Sequence, residues 1–118
     1  MTSQRERDGA LEAVDRILSR GGDADDVLRA VLQVLFQLYE YVGINFAEGG
    51  EMTPGLSLGA KEAGTTVFPI LFNGSQVAEL EVAFPGADDQ AFLERVAILV
   101  SPYALVGWDM NGEAWSDL

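Results

Sequence analysis

Two glutamates, Glu79 and Glu81, sit in a run that alternates apolar and polar residues, Val77-Ala78-Glu79-Leu80-Glu81-Val82. On a strand this spacing puts both carboxylates on one face, about 7 Å apart. Carboxylates at such a separation can share acid–base work. The same pattern also describes the solvated face of a strand in a very acidic protein, and that is the reading adopted. No nucleophile elbow, phosphate-binding loop or metal-ligand cluster accompanies the pair. Histidine and cysteine are both absent, which removes the commonest general base near neutrality and any thiolate nucleophile. The expectation is therefore a non-enzyme with no catalytic residue, cofactor or metal ligand. Tyr39 and Tyr41 flank Glu40 and could clamp an aromatic ligand, but ordinary amphipathic packing explains them as well. Gly49-Gly50 lacks the spacing of a phosphate loop and reads as a turn.

The charge balance narrows the partners. The chain has 19 acidic and 7 basic residues and a net charge of −12, so it repels a phosphate backbone and is not expected to bind nucleic acid. Arg5, Arg7, Arg16 and Arg20 alternate with Glu6, Asp8, Glu12 and Asp15, as on a solvated helix face. No apolar run approaches the roughly 18 residues of a membrane span, and no membrane partner is expected. The first residues lack the apolar core of a signal peptide, so a cytoplasmic location is expected.

The elements that must position these residues follow from periodicity. At 118 residues the chain reads as one domain, 1–118, with residues 1–7 starting a helix and 108–118 forming an irregular tail. Ser3-x-x-Glu6 is a capping box, and Leu11, Val14 and Leu18 follow at helical spacing. Asp23 is the expected N-cap of a second, deeply buried helix through Leu38. The period then changes to two at Val42, Ile44 and Phe46, and a weaker strand covers Met52 to Leu58. Val67 to Phe72, Asn73-Gly74 and Val77 to Phe84 form the strongest hairpin signal, because Asn and Gly both tolerate positive φ. Asp88 is the expected cap of a last helix that carries two apolar stripes, Phe92-Val96-Leu99-Tyr103-Val106 and Leu93-Ala97-Val100-Ala104. Pro102 should kink or break it.

Tyr41-Val42-Gly43-Ile44-Asn45-Phe46 with Glu48-Gly49 and Leu56 resembles the first hairpin of GAF domains, which are small sensory and regulatory modules. Val67 to Leu71, Asn73-Gly74, Val77 to Val82, and Asp89 with Phe92-Leu93 resemble that family's late hairpin and closing helix. The resemblance covers about residues 8 to 107. It implies an α+β fold, a GAF-like antiparallel sheet of about four strands packed against two to three helices. The first and last helices would back the sheet, with the second nearby. In the family a few dozen residues between the hairpins close a ligand pocket. Here Gly59-Ala60-Lys61-Glu62-Ala63-Gly64 stands in their place, so the resemblance does not extend to cyclic-nucleotide binding. Family members that reduce methionine sulfoxide or hold a bilin use cysteines, which this chain lacks.

With a two-residue loop, side-chain alternation puts Val67, Leu71, Ala78, Leu80 and Val82 on one face, under the helices. It puts Phe68, Ile70, Phe72, Val77, Glu79 and Glu81 on the other. The resemblance adds Tyr41 and Asn45 to this second face, the family's pocket side. The candidate ligand or partner face is thus Tyr41, Asn45, Phe68, Ile70, Phe72, Glu79 and Glu81. It could be covered by a partner, by the tail with Trp108 and Trp115, or by a small ligand. The expected function is a non-catalytic regulatory or protein-interaction module, self-associating as a homodimer through its N- and C-terminal helices. Leu11, Val14 and Leu18 would meet Leu93 and Val100 at that seam. The alternative is a small-molecule sensor with a reduced GAF-type pocket.

Overall fold

The computed structural model describes residues 3–61 and 64–112, with side chains through residue 104. Its elements are α1 (Gln4–Arg20), α2 (Ala24–Phe36), β1 (Tyr41–Glu48), β2 (Glu51–Gly59), β3 (Thr65–Phe72), β4 (Ser75–Ala83) and α3 (Gln90–Gly112). The strands form one antiparallel sheet in the order β2-β1-β4-β3.

Local signals act where the sequence places them. The Ser3 hydroxyl accepts the Glu6 amide at 3.1 Å and the Glu6 carboxylate accepts the Ser3 amide at 2.9 Å, closing the capping box. Asn73 and Gly74 both adopt positive φ, 54° and 82°, as a tight hairpin turn requires. Two caps differ from expectation. Asp23 precedes α2 without a side-chain capping bond. Before α3 a short 3-10 turn intervenes, and Asp89, not Asp88, accepts the Gly86 amide at 2.8 Å.

Pro102 does not break α3, which runs on to Gly112, so residues 108–112 are helical and not tail. A proline removes the amide that would bond the carbonyl four residues back. Here that carbonyl is Ile98's, and the Ser101 hydroxyl donates to it at 2.9 Å. The side chains of Val106, Trp108 and Trp115, and with them the tail as a cover, lie outside the described residues.

The layering also differs. α2 and α3 lie directly on the sheet, and α1 packs on the two of them. α3 is therefore sandwiched, which explains its two apolar stripes: Phe92, Leu93, Val96, Ala97, Val100 and Ala104 are all buried within the chain. α2, with buried Leu28, Leu32 and Leu35, lies over β1 and β2, and α3 lies over β3 and β4; Val42, Ile44, Ile70, Leu80 and Val82 belong to the same core. Val14, Leu93 and Val100, proposed from the sequence as an intermolecular seam, belong to this core, with Leu11 and Leu18 partly buried against it. The three buried residues are spent within the chain and cannot also form a surface between copies.

Candidate functional site

The outer face of the sheet, opposite the helices, is where the fold leaves side chains open, and its composition depends on one irregularity in β4. Phe72 pairs with Ser75 and Leu71 with Gln76, as a two-residue loop dictates. Beyond them Ile70 pairs with Ala78 and Phe68 with Leu80, so Val77 is an extra residue, a β-bulge. The bulge reverses the facing of β3 relative to β4. Phe68 and Ile70 point into the core at 4% and 0% exposure, with Phe72 packed against it, whereas Val67 and Leu71 face outward at 47% and 52%. The expected assignment of these five residues is thus inverted. Val77 is also buried.

What remains on the outer face is polar at its centre. Asn45 of β1 stands opposite Glu79 of β4, and Gly43 opposite Glu81. The Asn45 side-chain amide donates to Glu79 Oε2 at 3.0 Å and to Glu81 Oε1 at 3.1 Å. Glu81 accepts further bonds from Thr65 Oγ1 at 2.7 Å and Lys61 Nζ at 3.2 Å, with Lys61 Nζ 3.0 Å from the other carboxylate oxygen. The Glu81 side chain is only 6% exposed. Tyr41 lies at the same end, its hydroxyl over Gly43. A Cβ at Gly43 would fall 2.7 Å from that oxygen, so a larger residue there would displace the hydroxyl. Tyr39 is buried in the core and Tyr41 is buried beside Gly43, so the two tyrosines do not form an open clamp.

Lys61 reaches Glu81 because of the strand order. β2 and β3 are the two edges, so the connection between them runs from one edge of the sheet to the other. Both of its ends are tied to their surroundings. A Cβ at Gly59 would fall 2.2 Å from the Glu40 carbonyl oxygen, and one at Gly64 would fall 2.2 Å from the Phe84 ring. Lys61 escaped the sequence reading, although a signal existed: no other basic residue occurs between Arg29 and Arg95.

The electrostatics of the cluster favour the ion pair. Burial alone pushes the Glu81 carboxyl up, but the bonds from Thr65 and Asn45 and the Lys61 ammonium outweigh it and hold it below the usual carboxylate value. The hydrogen bond and charge of Glu81 raise Lys61 in turn. The folded state thus releases the Glu81 proton more readily than the unfolded state. Glu81 contributes stability above its unfolded pKa and loses it as pH falls through the lower folded value. Between about pH 5 and 3 the urea midpoint of the wild type should fall more steeply than that of Glu81→Gln. Parallel acid limbs would show that the carboxylate has no such preference.

A second feature is a cleft of about 470 Å³ between the start of β1 and the turn before α3, lined by Arg7, Tyr39, Phe84 and Asp89 among others. Arg7 Nη1 meets Asp89 Oδ1 at 2.9 Å, with side-chain exposures of 10% and 5%. Arg7 therefore does not belong to the solvated helix face on which its neighbours suggested placing it. The pair joins the start of α1 to the start of α3, a structural role. Among the described residues no group of three or more acidic, His or Cys side chains could hold a metal ion.

This architecture is the GAF-like fold: a four-stranded antiparallel sheet with helices on one face and, among the described residues, none on the other. The GAF domain of nlh2 from A. aeolicus, solved in an inactive state, superposes with a TM-score of 0.70 at 12% identity, over 87% of this chain and 98% of that one. A type II free methionine-R-sulfoxide reductase from Thermoplasma acidophilum superposes with a TM-score of 0.59 at 16% identity, over 69% of this chain and 92% of that one. No protein-family model matches the sequence, and no curated protein matches it. Among the described residues no helix is long and apolar enough to cross a membrane.

Proposed function

We propose that the chain is a non-catalytic regulatory module that acts by binding other proteins through surfaces of its GAF-like fold. The observation that carries this is the state of the outer face. Its buried carboxylate, Glu81, is engaged by Asn45, Lys61 and Thr65, and Tyr41 closes over Gly43. That arrangement leaves no free acid, base or nucleophile aimed into an enclosed space. The methionine-R-sulfoxide reductase shares the fold, but the absence of cysteine leaves no thiol chemistry for this chain to perform.

Self-association is a second reading, favoured by one exposed side chain. Ile98 of α3 is 67% exposed, one turn beyond a groove between α1 and α3 lined by Leu11, Ala91, Phe92 and Arg95. A dimer built on that groove would still use the N- and C-terminal helices, by a different face from the one the sequence suggested. Native mass spectrometry of the purified protein tests both readings. The module reading expects no retained small molecule, and a stoichiometric adduct would favour a sensor. The self-association reading expects a dimer that Ile98→Glu converts to a folded monomer; a wild-type monomer at all concentrations removes it.

A further inference from the structure

We propose that the outer sheet face docks a basic, apolar-flanked helical segment of a partner protein, with Val67 and Leu71 receiving its apolar side chains and Glu79 its cation. This rests on the module reading above and names the kind of partner. Val67 and Leu71 are two of the five large hydrophobic side chains left exposed among the described residues, and they share one row of β3. Pro69 lies between them and pairs with Glu79 on the neighbouring strand. The row thus reads apolar, acidic neighbour, apolar. Four residues along a strand span about 13 Å. Two turns of an α-helix span about 11 Å, so side chains seven positions apart on one helix face match Val67 and Leu71, with a cation midway between them over Glu79.

Charge selects the sign of the partner. Lys61 is the only basic residue from position 30 to 94, and it is committed to Glu81. Glu79 has one hydrogen bond, from Asn45, and no cation partner among the described ion pairs. The outer face therefore offers one carboxylate, Glu79, that is in none of the described ion pairs, in a chain of net charge −12. That field draws a cationic segment at an enhanced rate and repels acidic ones. A second copy of this chain brings the same negative charge and is disfavoured on that face.

The test titrates the full chain with a synthetic 14-residue amphipathic peptide. It carries Leu at two positions seven apart and Lys between them, and its control has Glu in place of Lys. Amide shifts in a two-dimensional NMR spectrum report the site. The Lys peptide should move the amides of residues 67, 68, 70, 71 and 78–81 and leave α1 and α2 unmoved, while the Glu peptide moves none. Glu79→Gln and the double variant Val67→Ser, Leu71→Ser should each weaken binding about 3- to 10-fold, whereas Glu12→Lys on the opposite side should not. Equal weakening by Glu12→Lys would reduce the effect to unspecific attraction and overturn the proposal. So would no binding of the Lys peptide, or a wild-type dimer that Leu71→Ser disperses. A retained small molecule in the native spectrum defeats the module reading itself. A clean spectrum with no peptide binding defeats only the docking site.

Discussion

Phe68→Ala should destabilise the protein by about 3–5 kcal/mol, while Val67→Ala, one residue away, should change stability by no more than about 0.5 kcal/mol. The difference comes from facing alone. Phe68 pairs with Leu80 and is 4% exposed, whereas Val67 is half exposed on the outer face. Truncating Phe68 removes apolar area from the core and leaves a cavity that the close-packed residues of α3 and β4 fill only in part. A loss of that size is a large share of the 5–15 kcal/mol that stabilises a typical domain. Urea unfolding of the two variants against the wild type is sufficient to measure it. If Val67→Ala were the costly change, Val77 would not be bulged and the strands would face the other way.

Arg7→Ala should cost about 3–5 kcal/mol, because it leaves the Asp89 carboxylate buried without its cation. Asp89 also accepts the Gly86 amide, so the unpaired charge would sit inside the turn that starts α3. The exposed pair Arg29–Asp25, at 3.1 Å with both side chains more than half exposed, supplies the contrast: Arg29→Ala should cost less than about 1 kcal/mol. Combining Arg7→Ala with Asp89→Asn should lose less than the sum of the single changes, since the second removes the charge that the first strands. Denaturant unfolding of the four proteins completes the cycle. Equal costs for Arg7→Ala and Arg29→Ala would mean that burial does not amplify the pair.

Where one sequence feature specifies one local geometry, the fold was legible. Ser3 with Glu6, and Asn73 with Gly74, each name a structure by their own chemistry, and the change of period at Tyr41 marks the first strand. The facing of the second hairpin was not legible. It depends on Val77 being an extra residue, and nothing in the alternation of Val77 to Val82 announces a bulge. The facing of the candidate residues was legible in part for the same reason: Glu79 and Glu81 follow from the alternation of β4 and Tyr41 and Asn45 from the resemblance, while Phe68, Ile70 and Phe72 depend on the register across the bulge. Contacts between distant positions were out of reach. Arg7 and Asp89 are 82 residues apart and Lys61 and Glu81 are 20 apart, and their meeting requires the strand order and the stacking of α1 beyond α3. The stripe of Leu93 and Val100 looked surplus because periodicity reports that a surface is apolar and not which element covers it.

Each of the two edge strands contains a proline, Pro54 in β2 and Pro69 in β3. Proline has no amide hydrogen, and in edge strands it sets its nitrogen toward solvent. A foreign strand arriving at either border therefore meets a gap in the row of donors needed to extend the sheet. In a small β-rich chain with half-exposed aliphatic side chains, those gaps act against fibre growth. Replacing both prolines with valine would expose two continuous templates, and concentrated solutions of that variant would be expected to grow cross-β aggregates from an otherwise native sheet.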